Sequence, residues 1–110
     1  MTIDYADFEK VEMHVGTVLT CEPNPKAKKP AYVMTIDFGP LGIKTSSAQV
    51  TRHYTPETLI GRQVVAVTNF APKKIAGVTS EVLVLGGVNE EQGVILLSPT
   101  LPIHNGTRVS

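Results

Sequence analysis

The first regular signal along the chain is an alternation. Val11, Met13, Val15, Thr17, Leu19 and Cys21 are separated by Glu12, His14, Gly16, Val18, Thr20 and Glu22, a period of two that predicts a long half-buried β-strand. Pro23-Asn24-Pro25-Lys26-Ala27-Lys28-Lys29-Pro30 follows. Its prolines fix φ and donate no amide hydrogen, so the stretch reads as an exposed basic loop. Alternation returns in Tyr32, Met34, Ile36 and Phe38 against Val33, Thr35 and Asp37. Gly39-Pro40-Leu41-Gly42 then turns the chain toward a shorter strand over residues 43–47, and the two strands make a hairpin.

Thr55 before Pro56 and Glu57, with Gly61 closing the segment, predicts an N-cap, a proline in the first turn and a terminal glycine around a short helix. Residues 63–70 are apolar and β-branched, as a strand covered on both faces would be. Ala71-Pro72-Lys73-Lys74 and Gly77 read as a connection, residues 81–85 as a further strand of the same covered kind, and Gly86-Gly87 with residues 89–93 as a turn before a strand over 94–97. Asp7 to Lys10 predicts a short N-terminal helix carrying Phe8. The order strand, strand, strand, short helix, strand, strand predicts an all-β domain of OB-fold type. That is a five-stranded Greek-key barrel with a short helix between strands 3 and 4, a short N-terminal helix and an appended C-terminal strand and tail.

Composition narrows the class. With 110 residues and 42% hydrophobic content, the chain supports one domain with its own core. The longest apolar runs, Val64 to Val67 and Val82 to Leu85 among them, fall far short of the roughly 20 residues that span a bilayer, so no membrane insertion is expected. The N-terminus is acidic where a secretory leader is basic, and the lone Cys21 suits a reducing compartment, so the expected location is the cytoplasm. The formal net charge is +0, but the charges are segregated. Residues 1–22 set Asp4, Asp7, Glu9, Glu12 and Glu22 against Lys10. Residues 23–74 set Lys26, Lys28, Lys29, Lys44, Arg52, Arg62, Lys73 and Lys74 against Asp37 and Glu57. Residues 75–110 set Glu81, Glu90 and Glu91 against Arg108. An electropositive middle between acidic ends attracts anionic ligands if the fold gathers it on one face.

Catalytic signatures are missing from the pattern. His14, His53 and His104 lack metal-ligand spacing, no strand-to-helix G-x-S-x-G occurs, and Gly86-Gly87 leads into Val88-Asn89-Glu90-Glu91 rather than a phosphate-cradling helix start. Asn105-Gly106-Thr107 reads as a turn. No metal site, cofactor or catalytic residue is assigned, and a binding protein is expected rather than an enzyme. The candidate ligand-binding residues are Arg52, Tyr54, Asn69, Phe70, Lys73, Lys74 and Ser80, which lie in connections beside strands, where an OB barrel binds. The cations would meet phosphate or carboxylate, and Tyr54 or Phe70 would stack or hold an apolar group. Phe70 has a second reading, as a cap on the barrel core.

The stretch from Tyr54 to Glu81, containing Gly61-Arg62-Gln63-Val64-Val65 and Asn69-Phe70-Ala71-Pro72-Lys73-Lys74-Ile75, resembles the tRNA-binding OB domain of methionyl-tRNA synthetases and of the endothelial monocyte-activating polypeptide II family. Phe8 to Gly16 resembles its opening strand, with His14 where arginine is usual. Lys29-Pro30-Ala31-Tyr32, Ile36-Asp37-Phe38-Gly39, Ser46-Ser47-Ala48-Gln49 and Ser80-Glu81-Val82-Leu83-Val84-Leu85-Gly86-Gly87 resemble the stand-alone CsaA family of export-related chaperones. The resemblance covers nearly the whole chain. It implies a homodimer that binds unfolded or exported polypeptide, with tRNA as the alternative partner. The dimer interface would draw on Phe8, Val94, Leu96 and Val109, whose apolar side chains exceed what one small barrel covers.

Overall fold

The computed structural model describes residues 1–110. A short helix α1 (Tyr5–Glu9) leads into β1 (Met13–Pro23), followed by β2 (Tyr32–Asp37), a 3-10 turn over Gly39–Leu41, β3 (Ile43–Ala48) and helix α2 (Pro56–Leu59). Then come β4 (Gln63–Val67), β5 (Lys73–Ile75), β6 (Val78–Ser80), β7 (Leu83–Val84), β8 (Gly86–Asn89), β9 (Gly93–Leu96) and β10 (Arg108–Val109). The main sheet runs β3-β2-β1-β4-β7 with all pairings antiparallel, and β10 adds to β1. The chain passing from β6 to β7 closes the sheet toward β3: Glu81 N donates to Thr45 O at 2.8 Å, and Ser46 Oγ donates to Val82 O at 3.1 Å. Mostly β, with a nearly closed barrel-like sheet and two short helices, the chain is an OB-like barrel with α2 between its third and fourth barrel strands.

Core formation follows the alternation of β2. Met34, Ile36 and Phe38 point inward and are fully buried, joined by Val18, Val64, Ala66 and, from α2, Leu59. Gly16 is required by this packing, since a Cβ there would lie 2.7 Å from both Ile36 Cγ2 and Phe38 Cδ1. The α2 helix is as its residues dictate: Thr58 N donates to the Thr55 hydroxyl, Pro56 occupies the first turn, and Gly61 takes φ 89 just past the end.

Several elements differ from the sequence reading. The β1–β2 register shifts between Val18 and Thr20, so Val18 turns into the core and Leu19 becomes exposed, reversing their expected sides. The α1 helix begins at Tyr5 rather than Asp7, because the Asp7 carboxylate accepts from Asp4 N at 3.2 Å and starts the turn earlier. Residues 71–77 are not a plain connection: β5 and β6 form a hairpin around Ala76-Gly77, which take φ 47 and 82. The covered strand expected over residues 81–85 shrinks to β7, with Val82 buried and Leu83 exposed. Gly86-Gly87 begins β8 instead of a turn, and the turn lies beyond it, where Asn89 Oδ1 accepts from Glu91 N and Gln92 N.

Candidate ligand-binding groove

The β5–β6 hairpin packs beside β3 and leaves a cleft of about 500 Å³. Phe70, Ala71, Ile75, Val82 and Leu83 supply its apolar surface. Phe70 and Leu83 are 58% and 50% exposed, so the ring faces outward and does not cap the core. Lys73 and Ser80 stand on the wall facing Ser47 of β3, with Glu81 beside them. In an antiparallel pair, directly opposed residues share a face, and Lys73 opposes Ser80 while Ile75 opposes Val78. Lys74 therefore alternates to the other face of the hairpin and does not line the cleft.

The polar walls are held in place. Ser80 Oγ accepts from Ser47 N at 3.1 Å and also lies 3.4 Å from Val82 O, while Glu81 Oε1 accepts from Thr45 N at 3.1 Å. Against the tip of the hairpin lies the basic loop between β1 and β2. Asn24, itself buried, accepts from Lys26 N through Oδ1 at 3.0 Å and donates from Nδ2 to Ala76 O at 3.3 Å. Lys26, Lys28 and Lys29 are thereby set beside the hairpin, all three exposed. Sequence reasoning identified the loop as basic and exposed but left it outside the site. The available signal was position, because the loop joining the first two barrel strands is one of the ligand loops of an OB barrel.

Of the predicted ligand residues, the fold brings together Phe70, Lys73 and Ser80. Tyr54 is a core residue: it is buried, its hydroxyl accepts from Leu96 N at 2.9 Å, and its carbonyl accepts from the Tyr32 hydroxyl at 2.7 Å. Its ring is also covered by Arg62, whose Cζ lies 5.5 Å from the ring centroid. Asn69 is spent on the chain entering β1, accepting from Glu12 N at 3.0 Å and donating to Lys10 O at 2.7 Å. Arg52 is exposed but lies against the β8–β9 turn, its Cδ 3.0 Å from where a Gly93 Cβ would be, and is not part of the groove.

The four residues expected at a dimer interface also separate. Phe8 and Val109 are half-buried and line one shallow depression with Tyr5 and Arg108. Val94 packs partly against the barrel core, and Leu96 belongs to that core at 8% exposure. Alternation along β9 instead turns Ile95 outward, and Leu97, just past the strand, is exposed with it. Burial, with Glu22 and Glu57 nearby, pushes the Cys21 thiol up to about 11. That is the opposite of what a reactive thiolate needs.

A small OB-like barrel whose exposed groove combines apolar floor with basic loops is a ligand-binding module in its architecture. The chain belongs to the family described as putative tRNA binding domain, whose model matches residues 13–108. It is 36% identical over 107 residues to a methionine–tRNA ligase of Bacteroides fragilis, covering 97% of this chain and 16% of that enzyme. The chain thus spans a small fraction of the curated relatives it matches. Among solved structures it is similar to the chaperone CsaA of Bacillus anthracis, at 50% identity and a TM-score of 0.95 with both chains fully covered. It is also similar to the CsaA chaperone protein of Picrophilus torridus, at 42% identity and a TM-score of 0.92 over 99% of this chain and 100% of that one.

Proposed function

We propose that the protein is a non-catalytic chaperone of the CsaA kind, which binds unfolded or exported polypeptide segments in the groove beside the β5–β6 hairpin and acts in the cytoplasm as a homodimer. The observation that carries this reading is the apolar floor. Phe70, Ile75 and Leu83 converge on one cleft while staying substantially exposed, where burying apolar surface of a client gains about 25 cal/mol per Å² removed from water. Full-length likeness to two CsaA structures supports it. The exposed Ile95 and Leu97 on the β8–β9 side offer apolar surface that a second copy would bury. Light scattering at twice the chain mass is expected, and one chain mass unchanged on dilution removes the dimer from the proposal.

A second reading, tRNA binding, is favoured by Lys26, Lys28 and Lys29 on the β1–β2 loop and by Lys73 and Lys74 on strand β5 of the neighbouring hairpin, and by the family itself. Salt separates the two. Phosphate neutralisation loses orders of magnitude in affinity between about 50 and 200 mM salt, while apolar burial persists. A denatured client is expected to stay bound as salt rises and a tRNA pool to leave. Tight tRNA binding at the higher salt, with no slowing of client aggregation at stoichiometric protein, reverses the ranking.

A further inference from the structure

The groove does not end at the apolar cleft. Ser47 and Ile75, which border that cleft, also line an adjoining one of about 510 Å³ whose far wall is Lys26, Lys28 and Lys29. We propose that the two clefts form one bipartite site for an extended polypeptide segment, its apolar half on Phe70 and Leu83 and its acidic half among the three loop lysines. The inference rests on the polypeptide reading above and gives that reading a substrate class and a direction.

Charge complementarity selects the acidic half. The only ion pair in the molecule within 4.0 Å joins Lys10 to Asp7, so none of the three loop ammonium groups has a carboxylate partner of its own. Lining the same cleft, they sum to a local positive field that carboxylates on a ligand neutralise. Orientation follows from the other end. Glu81 borders the apolar cleft, its carboxylate held by Thr45 N, and it opposes a second carboxylate there, although Lys73 on the same wall offsets part of that field.

Backbone geometry selects a polypeptide. With a two-residue turn at Ala76-Gly77, Ile75 and Val78 form the hydrogen-bonded pair, and alternation then aims the N–H and C=O of Lys74 away from β6. No strand pairs with that edge of β5. An extended peptide supplies the complementary donor and acceptor, as in strand addition, and its alternate side chains drop toward Lys73 and Ile75 on the cleft face.

The test uses labelled peptides with a leucine-rich half joined to a half of glutamates, glutamines or lysines, measured by fluorescence anisotropy against the full chain at physiological salt. The glutamate peptide is expected to bind roughly tenfold more tightly than the glutamine peptide, as a few exposed ion pairs supply, and the lysine peptide more weakly than both. N-methylation of alternate amides in the glutamate peptide is expected to abolish binding in one of the two phases. The triple variant K26Q/K28Q/K29Q, checked for an unchanged thermal midpoint, is expected to lose the preference while keeping its affinity for the glutamine peptide. Equal binding of the glutamate and glutamine peptides, or a preference that survives in the triple variant, overturns the bipartite site and leaves polypeptide binding standing. No binding by any peptide, with retention of a tRNA pool, overturns both.

Discussion

Asn24 Nδ2 donates to Ala76 O at 3.3 Å, and this bond ties the lysine loop to the tip of the β5–β6 hairpin across 52 residues of sequence. The same side chain accepts from Lys26 N. Asn24→Ala leaves a backbone acceptor and a backbone donor without their partners, which costs about 1–3 kcal/mol where such groups are shielded from water. The expected outcome is a lower urea midpoint together with weaker binding of an acidic peptide. An unchanged affinity shows that the loop does not need this tether.

Ala76 takes φ 47 in the hairpin turn, a left-handed conformation that costs an L-residue about 1 kcal/mol and that asparagine and glycine adopt readily. Ala76→Asn and Ala76→Gly are therefore expected to stabilise the protein by about 0.5–1 kcal/mol. Chemical denaturation checks this, and a loss of stability in both variants shows that the turn is not of this kind.

Tyr54 and Phe70 should behave oppositely. Tyr54→Phe removes the acceptor of Leu96 N and is expected to cost about 1–3 kcal/mol of stability, with ligand affinity unchanged. Phe70→Ala truncates a ring that is 58% exposed; it is expected to leave stability within about 0.5 kcal/mol while weakening the client interaction at least tenfold. Paired denaturation and binding curves for the two variants decide the assignment.

Cys21 has its folded-state pKa raised from 9.0 to about 11. A proton held more tightly in the folded state contributes stability that is fully present below about pH 9 and is lost as pH rises toward 11. Wild type is expected to lose more stability than Cys21→Ala over that window, read from denaturation midpoints. At neutral pH, alkylation of Cys21 is expected to be slow until the chain unfolds.

Much of the barrel was legible because its signals are local. The Thr55-Pro56 start and Gly61 stop of α2, the alternation of Tyr32 to Phe38 and the proline-rich lysine loop each depend on chemistry within a few residues. The hairpin at residues 73–80 escaped notice because its strands are three residues each and its turn carries alanine where asparagine would announce it. For the site, Lys73, Phe70 and Ser80 could be named from their place beside strands, whereas nothing local marks Asn69 as the clamp on Glu12 and Lys10.

The amino-acid sequence by itself determined which segments extend, where they turn and that the middle of the chain is cationic, since period, proline and glycine act through short-range sterics. Only the tertiary structure decided which side chains face the ligand. One extra residue at Leu19 reverses the facing of β1, and contacts spanning dozens of residues send Tyr54 inward and Phe70 outward. Both are aromatic residues flanked by polar and small neighbours, and what separates them is the partner that arrives from elsewhere in the chain: Leu96 N for the one, open solvent above the cleft for the other.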